Sequence, residues 1–142
     1  MTKTALAPMD RDDGTPSPLV YEHRSLRILL AEHDHNTRRL IALVLRHDGH
    51  FVVEASDGGK LLDVVAALLL DRRRHYDLIV SEQRLPGIQG LSALSALRTA
   101  GDATPFVLIT ADPDVKAQAT RMGAVVLEQA RNVEAIRRAI AR

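Results

Sequence analysis

From residue 25 onward the apolar positions of this chain fall into two alternating rhythms. Short, mostly apolar runs at 26–31, 51–54, 77–81, 106–110 and 125–127 have the composition of strands buried on both faces. Between them apolar residues recur at helical spacing. Leu40, Ile41, Val44 and Leu45 lie within 37–47, where Asp48-Gly49 supplies a stop. Leu61, Leu62, Val65, Leu68 and Leu69 lie within 59–73, and Leu91, Leu94 and Leu97 within 91–99. Two further helices are predicted at 113–122 and 133–141. Strict alternation of five strands and five helices is the signature of an α/β fold with a parallel sheet and crossover helices. Right-handed crossovers then favour a doubly wound five-stranded parallel sheet of order 2-1-3-4-5. Ligands of such sheets sit beyond the carboxyl ends of the strands. The candidate site residues are therefore Glu32, His33 and Asp34 after the first strand, Glu82 after the third, Thr110 and Ala111 after the fourth, and Glu128 and Gln129 after the fifth. Residues 1–24 carry Pro8, Pro16 and Pro18 with Asp10, Asp12 and Asp13 and show no sustained period. They are expected to be a flexible leader, with one domain over 25–142.

Composition narrows the function classes. A chain of 142 residues, 46% apolar and 26% charged, suits one globular domain. Its 19 Lys and Arg nearly cancel 18 Asp and Glu, so no broad basic field argues for a nucleic-acid or membrane partner. The absence of cysteine excludes disulfides, zinc-thiolate sites and thiol nucleophiles. The longest apolar run, 64–70, is too short for a bilayer, which needs about 20 residues. With no signal-peptide pattern at the N-terminus, a cytoplasmic location is expected. The six histidines lack the i, i+4 spacing of a hydrolytic zinc helix. The glycine clusters Asp57-Gly58-Gly59 and Gly87-Ile88-Gln89-Gly90 form no phosphate-binding fingerprint, and no Ser-His-Asp arrangement stands out. No enzymatic activity is expected. Arg72-Arg73-Arg74-His75 reads as a solvated cluster closing the second helix against its dipole.

One stretch carries a family resemblance. The run Tyr76-Asp77-Leu78-Ile79-Val80-Ser81-Glu82, followed by the turn Gln83-Arg84-Leu85-Pro86-Gly87-Ile88-Gln89-Gly90, resembles the third strand and following loop of CheY-like receiver domains of two-component response regulators. Phe106-Val107-Leu108-Ile109-Thr110-Ala111 resembles their fourth strand. The resemblance covers roughly 25–142 and implies a flavodoxin-like fold and a role in phosphorelay signal transduction. The second helix looks about a turn longer than is usual in the family.

The same resemblance assigns roles and marks departures from them. It places Glu82 at the phosphoacceptor aspartate, Glu32 and His33 at the acidic pair, Thr110 and Val126 at the two switch positions, and Gln129 at the lysine. Receivers use the acids to hold Mg²⁺, a hard cation that wants oxygen ligands; with an imidazole in the set, Mg²⁺ binding is expected to be weak or absent. Glu82 is longer than aspartate by one C–C bond, about 1.5 Å, which disturbs in-line phosphoryl transfer. Glu82 is then either a fixed surrogate for the phosphorylated state or a plain loss of the chemistry. Asp34 reads as the N-cap of the first helix rather than a metal ligand. His33 is a surface residue, a partner of a pocket carboxylate, or, with Glu32 and Glu82, a ligand of Zn²⁺ or another borderline metal. Thr110 either bonds nearby backbone or reaches Glu82. Gln129 cannot supply a charge but can donate to Glu82. With Ala130 in place of the family's proline, the loop 129–132 is expected in trans. Val126 cannot act as an aromatic switch. The leading expectation is an atypical receiver, or pseudo-receiver, working as a phosphorylation-independent protein-interaction module. Its partner face is the fourth helix, fifth strand and fifth helix, made basic by Lys116, Arg121, Arg131, Arg137 and Arg138. It suits an acidic signalling partner or a homodimer. A conventional phosphoacceptor and a small-ligand or metal sensor are the alternatives. No DNA-binding or enzymatic output module is visible in the chain.

Overall fold

The computed structural model describes residues 24–71, 73, 75–129 and 133–141. They form β1 (Arg27–Ala31), α1 (His35–His47), β2 (Phe51–Ala55), α2 (Gly58–Leu70), β3 (Leu78–Glu82), α3 (Gly90–Thr99), β4 (Phe106–Ile109), α4 (Pro113–Arg121), β5 (Val125–Leu127) and α5 (Val133–Ala141). All strand pairs are parallel and the sheet order is β2-β1-β3-β4-β5. The doubly wound α/β architecture expected from the alternation is the one observed.

Side-chain alternation along each strand splits the core into two layers. Ile28, Leu30, Val80, Val107 and Ile109 face one way and pack with Ile41 and Leu45 of α1 and Ile136 of α5. Leu29, Ala31, Ile79, Phe106 and Leu108 face the other way and meet Leu61 and Val65 of α2, Leu94 and Leu97 of α3 and Ala119 of α4. Both faces of the central strands are covered, which is why their sequences read as continuous apolar runs.

Local chemistry sets the helix ends. Asp34 caps α1, its side chain accepting from Thr37 N at 2.8 Å and Thr37 Oγ1 at 2.6 Å. The helix therefore begins at His35, two residues before the expected start, and Asp34 is a cap. Past its end Gly49 has φ 97, a left-handed turn that glycine enters without Cβ strain. Asp57 caps α2 and Asp112, followed by Pro113 at the first turn, caps α4.

A second helix boundary also corrects the sequence reading. α2 stops at Leu70 rather than at residue 73, because Asp71 turns extended and binds the Arg73 side chain at 3.1 Å. No basic residue lies in the last turn of α2, so Arg73 and His75 do not close the helix; Arg72 and Arg74 lie outside the described residues. β1 starts and β4 ends one residue inside the expected limits, whereas β3 is shifted one residue on and ends at Glu82 itself. The leader lies outside the described residues except for Arg24, which is exposed.

Two ionic clusters tie α1 to its neighbours. Glu54 of β2 receives Arg38, Arg39 and Arg46 at 3.2, 3.0 and 3.0 Å. Burial would raise the Glu54 pKa, but hydrogen bonds from Arg46 and Arg38 hold it below the usual range. Arg137 of α5 grips Asp48 with two bonds, 2.8 and 2.7 Å, and reaches Glu134 at 2.8 Å. Its bonds to Asp48 hold that acid's pKa down. Arg137 is thus a clamp between α1 and α5 and not a member of an exposed basic face.

Candidate functional site

The carboxyl ends of β1 and β3 are adjacent, with Ala31 in register with Ser81. The next residue on each chain, Glu32 and Glu82, is consequently placed side by side. Backbone bonds hold these ends fixed: Glu32 N donates to Ala55 O at 3.0 Å, Gln83 N to Ile109 O at 2.9 Å and Thr110 N to Leu127 O at 2.8 Å.

Glu32 is 4% exposed and accepts from Asp34 N at 3.0 Å through Oε2. Glu82, its side chain 13% exposed, turns toward β1, and its Oε2 meets His33 twice, at the backbone N–H and at ring Nδ1, each at 2.5 Å. His33 Nδ1 also lies 3.5 Å from Glu32 Oε2, and the imidazole is 52% exposed. Of the readings open for His33, pairing with a pocket carboxyl is the one observed. Ligand-type atoms of Glu32, His33 and Glu82 all lie within 4.8 Å of one another.

The electrostatics follow from that crowding. Burial, then the hydrogen bond to Glu82, raises the Glu32 pKa to about 7. The bond to Glu82, supported by its charge and that of Glu32, raises His33 above its ordinary value. Among the described residues His33 is the sole ion-pair partner of either acid.

Other expected site residues stand apart from this cluster. Thr110 is buried, but its hydroxyl accepts from Asp112 N at 3.1 Å and makes no bond to Glu82. Gln129 is exposed and does not donate to Glu82. Its predecessor Glu128 lines the cleft instead. Val126 is half-buried in β5, packed against the α2–α3–α4 side of the core. Residues 130–132, and with them the expected trans loop and Arg131, lie outside the described residues.

A cleft of about 790 Å³ opens from Glu32 and Glu82 across the ends of β4 and β5. Its described lining includes five acidic residues, Glu32, Glu82, Asp112, Asp114 and Glu128, and one basic residue, Arg84. Gln83, a buried residue of the lining, was not anticipated. Its Nε2 donates to Gln89 Oε1 at 3.0 Å and its Oε1 accepts from Leu91 N at 2.8 Å, fastening the loop after Glu82 to α3. No sequence rhythm marks that glutamine, whereas Asp112-Pro113 is a readable helix start.

A family model for the response regulator receiver domain matches residues 28–135. The chain belongs to that family. Among curated relatives, the sensor histidine kinase AruS of Pseudomonas aeruginosa is 36% identical over 97 residues, covering 64% of this chain and 9% of its own. The response regulator MprA of Mycobacterium bovis is 33% identical over 91 residues, covering 64% and 37%. The chain spans well under half the length of these relatives. The receiver domain of a Francisella response regulator superposes with TM-score 0.70 at 22% identity, covering 82% of this chain and 95% of that one. TrrA of Thermotoga maritima, solved in complex with Mg²⁺–BeF, gives 0.64 at 21% identity, covering 81% and 96%. These likenesses establish the CheY-like fold. The chain is a receiver domain of two-component phosphorelay signalling, a signalling module rather than an enzyme, of a kind that works through contacts with signalling partners. Among the described residues no helix is long and apolar enough to cross a membrane.

Proposed function

We propose that this receiver is degenerate at its phosphoacceptor position and signals as a phosphorylation-independent protein-interaction module in the cytoplasm. The supporting observation is that the Glu82 oxygen turned toward β1 is held by both the backbone N–H and the ring of His33. An in-line attack needs a carboxylate oxygen presented to the incoming phosphorus, and here one of the two is tied back to His33. The acid-rich lining of the cleft, with Glu128 on it and Gln129 outside it, also repels a phosphoryl group rather than neutralising it. Mg²⁺ binds weakly or not at all on this reading.

The partner meets α4, β5 and α5. Lys116, Arg121 and Arg138 are exposed there and suit an acidic partner surface or a second copy of the chain. Incubating the protein with Mg²⁺ and acetyl phosphate and measuring intact mass tests the reading. The parent is expected to stay unlabelled. A stable phosphoryl adduct on the parent refutes the proposal and restores the conventional phosphoacceptor.

A further inference from the structure

The donor set of the pocket disagrees with Mg²⁺. That ion demands near-octahedral oxygen coordination and keeps several waters. Here the strand ends present two carboxyl groups and, between them, an imidazole whose Nδ1 lies 2.5 Å from Glu82 and 3.5 Å from Glu32. Nitrogen mixed with carboxylate suits borderline ions such as Zn²⁺. We infer that Glu32, His33 and Glu82 form a site for a borderline divalent cation of the Zn²⁺ class, with water as the remaining ligand on the cleft side.

Three features carry the assignment beyond a chance gathering of acids. Glu32 is buried and fixed by the β1 end, so one ligand is positioned before any ion arrives. No lysine or arginine is paired with Glu32 or Glu82 among the described residues, so the charge of the converging carboxyls is met by His33 alone. The spacing also fits. Ligand atoms about 2.0–2.1 Å from a tetrahedral ion stand about 3.3 Å apart. The His33–Glu32 separation of 3.5 Å already matches that edge. The His33–Glu82 pair, 2.5 Å apart, has to open by about 0.8 Å. Rotation of the half-exposed imidazole supplies this without moving the strands.

The site goes beyond the interaction-module reading and stands or falls separately from it. The test is titration of the full chain with Zn²⁺ against a chromophoric chelator, with and without excess Mg²⁺, for the parent and for His33→Ala, Glu82→Gln and His75→Ala. His33 is exposed enough for its truncation to leave the fold intact, which circular dichroism checks. His75 lies before β3, at the opposite end of that strand from Glu82. One equivalent is expected to bind the parent and His75→Ala alike, undisturbed by Mg²⁺. His33→Ala and Glu82→Gln are expected to weaken binding by more than about tenfold, the loss that removing even a supporting group produces. No Zn²⁺ binding by the parent, equal binding by His33→Ala, or displacement by Mg²⁺ at comparable concentration overturns the inference. None of these outcomes bears on acetyl phosphate labelling.

Discussion

Replacing Glu32 with Gln isolates the electrostatic strain of the pocket. In the native fold this buried carboxyl has its pKa raised to about 7, well above the ordinary carboxylate range, by burial first and the bond to Glu82 second. A raised folded value means that the native state holds its proton more tightly than the unfolded chain. The associated stability is fully present below the unfolded value and is lost as pH rises through the folded one. At 1.36 kcal/mol per unit, the loss between pH 5 and pH 8 reaches about 3 kcal/mol as an upper figure. Movement of Glu82 and His33 as the charge appears reduces it. Glutamine keeps the shape, can still accept from Asp34 N, and cannot ionise.

The assay is urea unfolding followed by circular dichroism at several pH values from 5 to 8. Parent and Glu32→Gln are expected to be similar near pH 5, with the variant pulling ahead as pH rises. His33 acts in the same sense in both proteins, because its pKa is also raised and its contribution is lost on the alkaline side. Parallel curves, or a gap that widens toward acid, would refute the assignment of Glu32 as the strained group.

Three further outcomes follow from other contacts. Gly90→Ala is expected to cost about 1–3 kcal/mol, because a Cβ there meets Glu82 O at 2.6 Å, Leu108 Cδ1 at 2.7 Å and Ser81 Oγ at 2.9 Å; a shift in urea midpoint measures it. Asp34→Ala removes the α1 cap and is expected to cost about 1 kcal/mol in the same assay, with Zn²⁺ affinity little changed because Asp34 is not a ligand. Glu54 has its pKa lowered, so its contribution is present above the unfolded value and lost as pH falls through the folded one; Glu54→Gln should flatten the acid limb of the pH–stability curve, and an unchanged limb would discount the three-arginine cluster.

How far the chain could be read depends on which interactions decide each feature. Strands such as Phe106-Val107-Leu108-Ile109 were legible because every side chain is buried, alternately in the two core layers, and burial leaves an unbroken apolar run. The start of α1 was less so, since His35 and Asn36 show no apolar period and the helix begins there only because Asp34 caps it. The end of α2 was misread because Leu68-Leu69-Leu70 continues the rhythm, yet Leu70 is 89% exposed. Beyond it the chain must return to bury Tyr76 and to join β1, where Asp77 N donates to Arg27 O and Arg27 N to Asp77 Oδ2, both at 2.8 Å.

At the site, topology and pairing separate cleanly. The order 2-1-3-4-5 alone puts the residues after β1 beside the end of β3, so the meeting of Glu32, His33 and Glu82 was within reach of sequence. Which polar group then pairs with which is set by single torsions among competitors of similar reach. Glu82 could turn to Thr110, Gln129 or His33, and it takes His33, whose backbone N–H and ring converge on one oxygen. Thr110 is left to its own backbone. The basic residues of α5 behave likewise: in a helical pattern Arg137 and Arg138 look equivalent, but Asp48, nearly ninety residues away, holds the first and leaves the second exposed. An interaction face read from charge alone therefore overcounts wherever the fold brings an acid from another element, and the α4–β5–α5 face is better tested at Lys116, Arg121 and Arg138 than at Arg137.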